Sequence, residues 1–444
     1  MVRYFSLTEP PEPLTRRERQ FVWLATIAFA ATRFLAVALT PWDWDEALFG
    51  LALRDFDVTQ FHPHPPGFPL FILFAKALQL VGLGEFRALQ TVSVAASLFV
   101  FPAMFFLVRE LRGSVHVAIV SAALLTFFPN VWLYGGMALS DIPSMVLVML
   151  ACALLLRGCR SNPALYAGAI VLAIAAGMRP QNLVIGFAPA MLALFHQRWR
   201  IVVPALLGAA ILAASYGGAA HFSGGWDGYR DAVTRHQQYI AGVDSFRAPL
   251  RPSLLYVADD FFVRPFRNLP INAVLALLVL AGLATRAKHV VLALLAFAPF
   301  CLFAWLVLDF HSASRFSLGY APLMALLAGS ARVPRVVPGA IVIAMAFWTM
   351  PALRVVRTTP SPPAAAIATI PPEALVFIDE RLGAHIAFLA PHVKLSPERA
   401  GAWELREGET VIPGARAFKR DRQPLARIAR DRYFEVSLIP PRTP

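Results

Sequence analysis

Long apolar runs separated by short polar clusters fill the chain from residue 21 to residue 350. The first, 21–39, is long enough to cross about 30 Å of hydrocarbon as a helix. Further runs at 89–108, 115–133, 142–156, 164–177, 183–195, 201–216, 271–283, 290–308, 316–328 and 337–350 predict about eleven spans in all. The pairs Arg109/Arg112, Arg157/Arg160, Arg198/Arg200, Arg286/Lys288 and Arg332/Arg335 then fall on one side, as the positive-inside pattern requires. The run 68–83 breaks this registration if it crosses, so it is read as a helix lying in the outer interface.

Beyond residue 350 the pattern changes. A Pro/Ala-rich linker covers 353–372, and 373–444 is polar enough to form a small α/β domain. Strands are expected at ALVFIDE, TVIPGARAF and YFEVSLIP, and a short helix at GAHIAFLA. The fold class is therefore an all-α polytopic membrane protein with juxtamembrane helices in its first external loop and a small α/β domain at its end. Residues 1–20 are expected in the cytoplasm, 21–352 in the membrane domain, and the loops 41–87 and 218–270 outside it with the C-terminal domain. This topology places the protein in the plasma (inner) membrane.

Composition agrees with that pattern. The chain is 58% hydrophobic and 15% charged, whereas soluble domains carry about a quarter charged residues. The net charge of +13 sits in clusters between apolar runs, which excludes a nucleic-acid partner. Cys152, Cys159 and Cys301 lie in or beside apolar stretches without metal-ligand spacing, which argues against disulfides and cysteine-held zinc.

Candidate chemistry concentrates between residues 42 and 69. Asp43, Asp45, Glu46, Asp55 and Asp57 share this short segment with His62, His64 and a proline-rich knot. Carboxylates beside a bilayer need a partner or a function. Asp45 and Glu46 are candidate catalytic carboxylates, although Asp45 also suits the N-cap of a helix and Glu46 equally a structural pair with an arginine. His62 and His64 are better read as substrate-positioning residues than as metal ligands, because no third ligand accompanies them. Asp141 suits either a helix cap or the site. Arg179, Arg315 and Lys76, beside membrane spans, could hold an anionic group or merely snorkel. Trp226, Tyr229, Arg235, His236 and Tyr239 fit an interfacial helix of the second external loop.

The order of these motifs resembles the glycosyltransferases of the C superfamily, particularly relatives of protein O-mannosyltransferases and lipid A aminoarabinose transferases. The likeness is carried by Asp45-Glu46 after the first span, His64-Pro65-Pro66 on the following segment, ALSDIP at 138–143, Arg179-Pro180, and Arg315-Phe316 opening a late span. It implies transfer of a sugar from a polyprenyl-phosphate carrier to a lipid, polysaccharide or protein acceptor on the non-cytoplasmic face, by inverting displacement. It further implies that Asp45, as the base, and Glu46 are catalytic, and that Asp43, His62, His64, Lys76, Asp141, Arg179 and Arg315 bind substrate. It fixes no cofactor and leaves a divalent cation open. A polyprenyl-lipid transporter or a non-catalytic lipid-binding relative is the alternative; charges gathered at one face, with no matching halves, favour the enzyme.

Overall fold

The computed structural model describes residues 7, 9–266, 268–379, 382–408, 414–419, 428 and 435–441. Helix α1 (Arg16–Arg33) opens on a capping box, in which Thr15 Oγ1 accepts from the Glu18 amide and Glu18 answers at the Thr15 amide. Its Phe21, Trp23, Leu24 and Ile27 are exposed. So large an apolar outer surface is stable only against lipid. After α1 come α2 (Trp44–Arg54), α3 (Pro69–Gln79), α4 (Glu85–Ser97), α5 (Val100–Glu110), α6 (Val115–Phe127) and α7 (Pro129–Tyr134).

Then follow α8 (Asp141–Gly158), α9 (Asn162–Met178), α10 (Asn182–Gln197), α11 (Val202–Phe222), α12 (Gly225–Tyr239) and α13 (Leu254–Ala258). The bundle closes with α14 (Leu269–Ala284), α15 (Lys288–Val307), α16 (Ala313–Phe316), α17 (Ala321–Gly329) and α18 (Val336–Thr358). One apolar core draws on α1–α10 and α13–α18, while Ala219 and Ala220 of α11 and Tyr229 and Ala232 of α12 form a separate cluster with Val58.

By length and composition, four apolar helical stretches can cross a membrane, or five if α4 and α5 count as one. The expected count of about eleven is not reached on those terms. Local chemistry explains several of the shorter helices. The run 89–108 divides into α4 and α5, bent by 43°, where the Ser97 hydroxyl donates to the Val94 carbonyl and competes with the backbone ladder. Pro129 ends the next run, because the residue before a proline is driven out of the helical region. The stretch Asn182–Phe222 passes through the bundle twice. Asn182 bonds Ser144 near the start of α8, Gln197 reaches Gly158 at its end, and Tyr216 has returned to Ala176. The reversal falls at Arg198, which has a positive φ of 53°. Helix α3 has 11 residues, roughly 16 Å at the helical rise, too short to cross, as the interfacial reading requires.

The C-terminal domain is a five-stranded sheet in the order β2-β1-β3-β5-β4, formed by β1 (Leu375–Ile378), β2 (Lys394–Leu395), β3 (Trp403–Glu407), β4 (Arg416–Lys419) and β5 (Glu435–Ile439). Strand β1 runs parallel to β2 and β3, while β5 is antiparallel to β3 and β4. Val376, Leu405, Val436 and Leu438 bury one sheet face with residues of α19 (Pro362–Ile367) and α20 (Gly383–Leu389). The expected first strand and short helix are therefore present, and the other two strands occupy the described parts of their segments. Residues 410–413, 433 and 434 of those expectations lie outside the described residues. The segment 353–372 is structured: it contains the end of α18 and the short α19, whose Ser361 side chain accepts from the Ala364 amide.

Candidate active site

Asp43, rather than Asp45, caps α2. Its side chain accepts from the Asp45 amide, while Glu46 completes a capping box from the first turn. This leaves the Asp45 carboxylate free to point into the bundle. Glu46 is fully buried. Its Oε2 accepts from the Trp42 and Asp43 amides at 2.6 and 2.8 Å, and its Oε1 from the Ala138 amide at 2.7 Å. The residue thus staples the acidic turn to the ALSDIP segment. Burial pushes its carboxyl up to about 7, against the lowering effect of those three donors.

Two arginines meet the acids. Arg179 ends α9 in an extended conformation, as the following Pro180 requires, and turns inward. It grips Asp141 with both terminal nitrogens, at 2.9 and 3.1 Å, and donates from Nε to Ser140 Oγ at 3.0 Å. Arg315, held on the single turn α16, places Nε 3.0 Å from Asp141, Nη1 3.2 Å from Asp43 and Nη2 2.6 Å from Asp45. Asp141 is the first residue of α8, and its carboxylate serves these ion pairs.

His64 faces the other oxygen of Asp45, with Nδ1 3.5 Å from Oδ1. Burial pushes this imidazole down to about 4, with Asp45 pulling upward and His236, Arg315 and Arg179 adding to the depression. It is therefore neutral at neutral pH. Burial alone would raise the Asp45 carboxyl, but the facing His64, Arg315 and Arg179 hold it well below the usual carboxylate range. Asp43, Asp45 and Asp141 thus share the guanidiniums of Arg315 and Arg179.

Helix α12 covers the proline knot. Tyr229 donates from its hydroxyl to the Pro66 carbonyl at 2.9 Å, and the His236 ring lies 5.8 Å from that of His64. Trp226 and Tyr239 are largely exposed. His62 lies just beyond the cluster, its backbone paired with Asp57. Lys76 is exposed and donates to the Leu53 carbonyl, with no described contact to the acids. Among the described residues no group of three or more His, Cys, Asp or Glu side chains is arranged to hold a metal.

Sequence reasoning had not singled out Ser140 or Arg54. Ser140 sat inside a noted motif, but only the fold aims it at Arg179. Arg54 pairs with Glu85 at 3.0 Å, a contact between helices that no spacing rule predicts.

No family model matches the chain, and no curated protein matches it by sequence. Solved structures do. ArnT from Cupriavidus metallidurans in the apo state superposes with a TM-score of 0.56 at 12% identity, over 96% of this chain and 98% of that one. The same protein bound to undecaprenyl phosphate gives 0.54 at 12% identity, over 94% and 97% of the two chains. The archaeal oligosaccharyltransferase AglB from Archaeoglobus fulgidus, in complex with an inhibitory peptide and a dolichol-phosphate, gives 0.50 at 10% identity, over 88% and 70%. This chain therefore shares its fold with ArnT and with the archaeal oligosaccharyltransferase. At these identities the likeness establishes the fold alone.

Proposed function

We propose that the protein transfers a sugar from a polyprenyl-phosphate carrier to a lipid, polysaccharide or protein acceptor on the non-cytoplasmic side of the plasma membrane. The observation that carries this reading is the setting of Asp45: one oxygen 2.6 Å from Arg315, the other facing His64, at one end of a membrane bundle of this fold. The matched structures that hold undecaprenyl phosphate and dolichol-phosphate support the choice of donor.

In this reading the acceptor O–H or N–H gives its proton to Asp45, and the freed electron pair attacks the anomeric carbon from the face opposite the phosphate. The bond between that carbon and the phosphate oxygen breaks, its electrons remain on the lipid phosphate, and the sugar is inverted. An Asp45 paired with Arg315 is a weak base. A donor phosphate that draws Arg315 towards itself both anchors the donor and raises the proton affinity of Asp45. Arg179 supports Asp141 in this exchange, His64 and His62 border the sugar, and Lys76 serves the lipid-facing side of the donor. Glu46 holds the turn in place and does not react.

Purified protein in lipid, offered a panel of polyprenyl-phosphate sugars and acceptors, tests the reading through release of the bare lipid phosphate. Wild type should turn over one donor, while Asp45→Asn, folded and carrier-binding, should lose about 10²–10⁴-fold. Equal release by both proteins removes Asp45 from the reaction, and release by neither rejects the enzyme. Reporter fusions after Arg112 and after Thr358 should fall on opposite sides of the membrane.

A further inference from the structure

We propose that the C-terminal domain belongs to the catalytic apparatus, and that Phe388, seated in a notch at Gly50, is the positioning residue that fixes where Asp45 stands. The inference rests on the glycosyltransferase reading for its kinetic consequences and on packing alone for its geometry.

A glycine inside a helix costs about 1 kcal/mol relative to alanine, so Gly50 in the middle of α2 calls for a packing reason. The structure supplies one: a Cβ at Gly50 would lie within the ring of Phe388 on α20. On the next turn the Arg54 guanidinium stands 4.9 Å over that same ring and donates to the Ala387 carbonyl at 3.4 Å. Arg54 is itself tied to Glu85 of α4. Ala47, Leu48 and Leu51 of α2 share a buried cluster with Ala384 and Phe388, and Trp44, immediately before Asp45, packs against it.

The segment entering α2 is held by the same part of the chain. Ser361 donates from Oγ to the Pro41 carbonyl at 2.6 Å, and its amide donates to Thr40 Oγ1 at 2.8 Å. The Leu39 amide bonds the Val356 carbonyl at 2.8 Å. The turn carrying Asp43, Asp45 and Glu46 is thus held on both flanks by residues beyond position 350. Arg315 and Arg179 stand on the bundle side of that turn. The C-terminal domain therefore sets one half of the acid-to-arginine distance and the membrane domain sets the other.

The test uses the full chain in lipid with Phe388→Ala, Phe388→Leu, Gly50→Ala and the Gly50→Ala/Phe388→Ala double variant. Misplacement of a reacting group by about 1 Å costs about 10²-fold in rate. Phe388→Ala should show a loss of that order in kcat with little change in donor KM, and Phe388→Leu should recover part of it. Gly50→Ala should be impaired alone and improved by Phe388→Ala, because the added methyl then occupies vacated space.

Hydrogen exchange at the amides of Asp43, Asp45 and Ala138 needs no substrate and should quicken in Phe388→Ala. If that variant does not fold, Arg54→Gln, which removes the grip on the ring from the other side, should give the same kcat loss and faster exchange. Wild-type kcat with unchanged exchange, or strictly additive losses in the double variant, would overturn the proposal. Faster exchange in a protein whose wild type turns over no donor would uphold the clamp while rejecting the glycosyltransferase reading.

Discussion

The two ends of the helical bundle use charge in opposite ways. At one end Asp43, Asp45, Asp141, Arg179 and Arg315 form a connected cluster whose arginines are buried and whose members come from four separate parts of the chain. At the other, the cations have local or backbone partners: Arg109 donates to Gly113 and Glu12 carbonyls, Arg112 to that of Glu9, and Arg160 pairs with Glu110 at 2.6 Å. Arg198 and Arg200 are simply exposed. The first arrangement costs desolvation that only close mutual pairing offsets, so its members depend on one another. The second ties its inner cations to backbone carbonyls and one acid and leaves its outermost, Arg198 and Arg200, in water, where loss is tolerated.

That contrast can be broken most forcefully at Arg315. Arg315→Met should destabilise the protein by about 3–5 kcal/mol, since three carboxylates lose their shared cation; thermal unfolding in detergent would show it, and an unchanged Tm would mean the cluster is not mutually dependent. Glu46→Ala removes the acceptor of the Trp42, Asp43 and Ala138 amides, the first and last of them buried, and should cost about 1–3 kcal/mol for each buried one left unsatisfied, whereas Glu46→Gln should retain part of the staple.

A pH titration sharpens the comparison further. Folding depresses the His64 proton affinity from 6.5 to about 4, so the stability it contributes is complete above about 6.5 and is lost as pH falls towards 4. The Tm of wild type should therefore decline across that window more steeply than that of His64→Gln. Equal slopes would place the cause elsewhere. The smallest effect belongs to the opposite end: Arg200→Ala should stay within about 0.5 kcal/mol of wild type.

Legibility followed the range of the physics involved. The helical segments and the first strand of the C-terminal domain were readable, because hydropathy and turn chemistry act over a few residues. The count of about eleven crossings is not confirmed by helix length and composition, since apolar content does not reveal a bend such as that beside Ser97. Asp45 had two sequence readings, cap and site. The structure separates them by giving the cap to Asp43, a two-residue shift within the uncertainty of helix-boundary rules. Glu46 was marked beside Asp45, but its three amide partners include Ala138, 92 positions away. Gly50 carried a usable signal that went unread, an isolated glycine within a helix.

The sequence alone thus determined a membrane-embedded helical protein with a polar segment after its first span and a small terminal domain, since partitioning between water and hydrocarbon is settled run by run. Only the tertiary structure decided which charges pair. Arg315 reaches Asp43 across 272 positions, and Phe388 enters the notch at Gly50 from the last domain of the chain. Ion pairing and close packing are set by distances of 3–4 Å in space, and nothing in the local pattern of a chain encodes which distant residues will come that close.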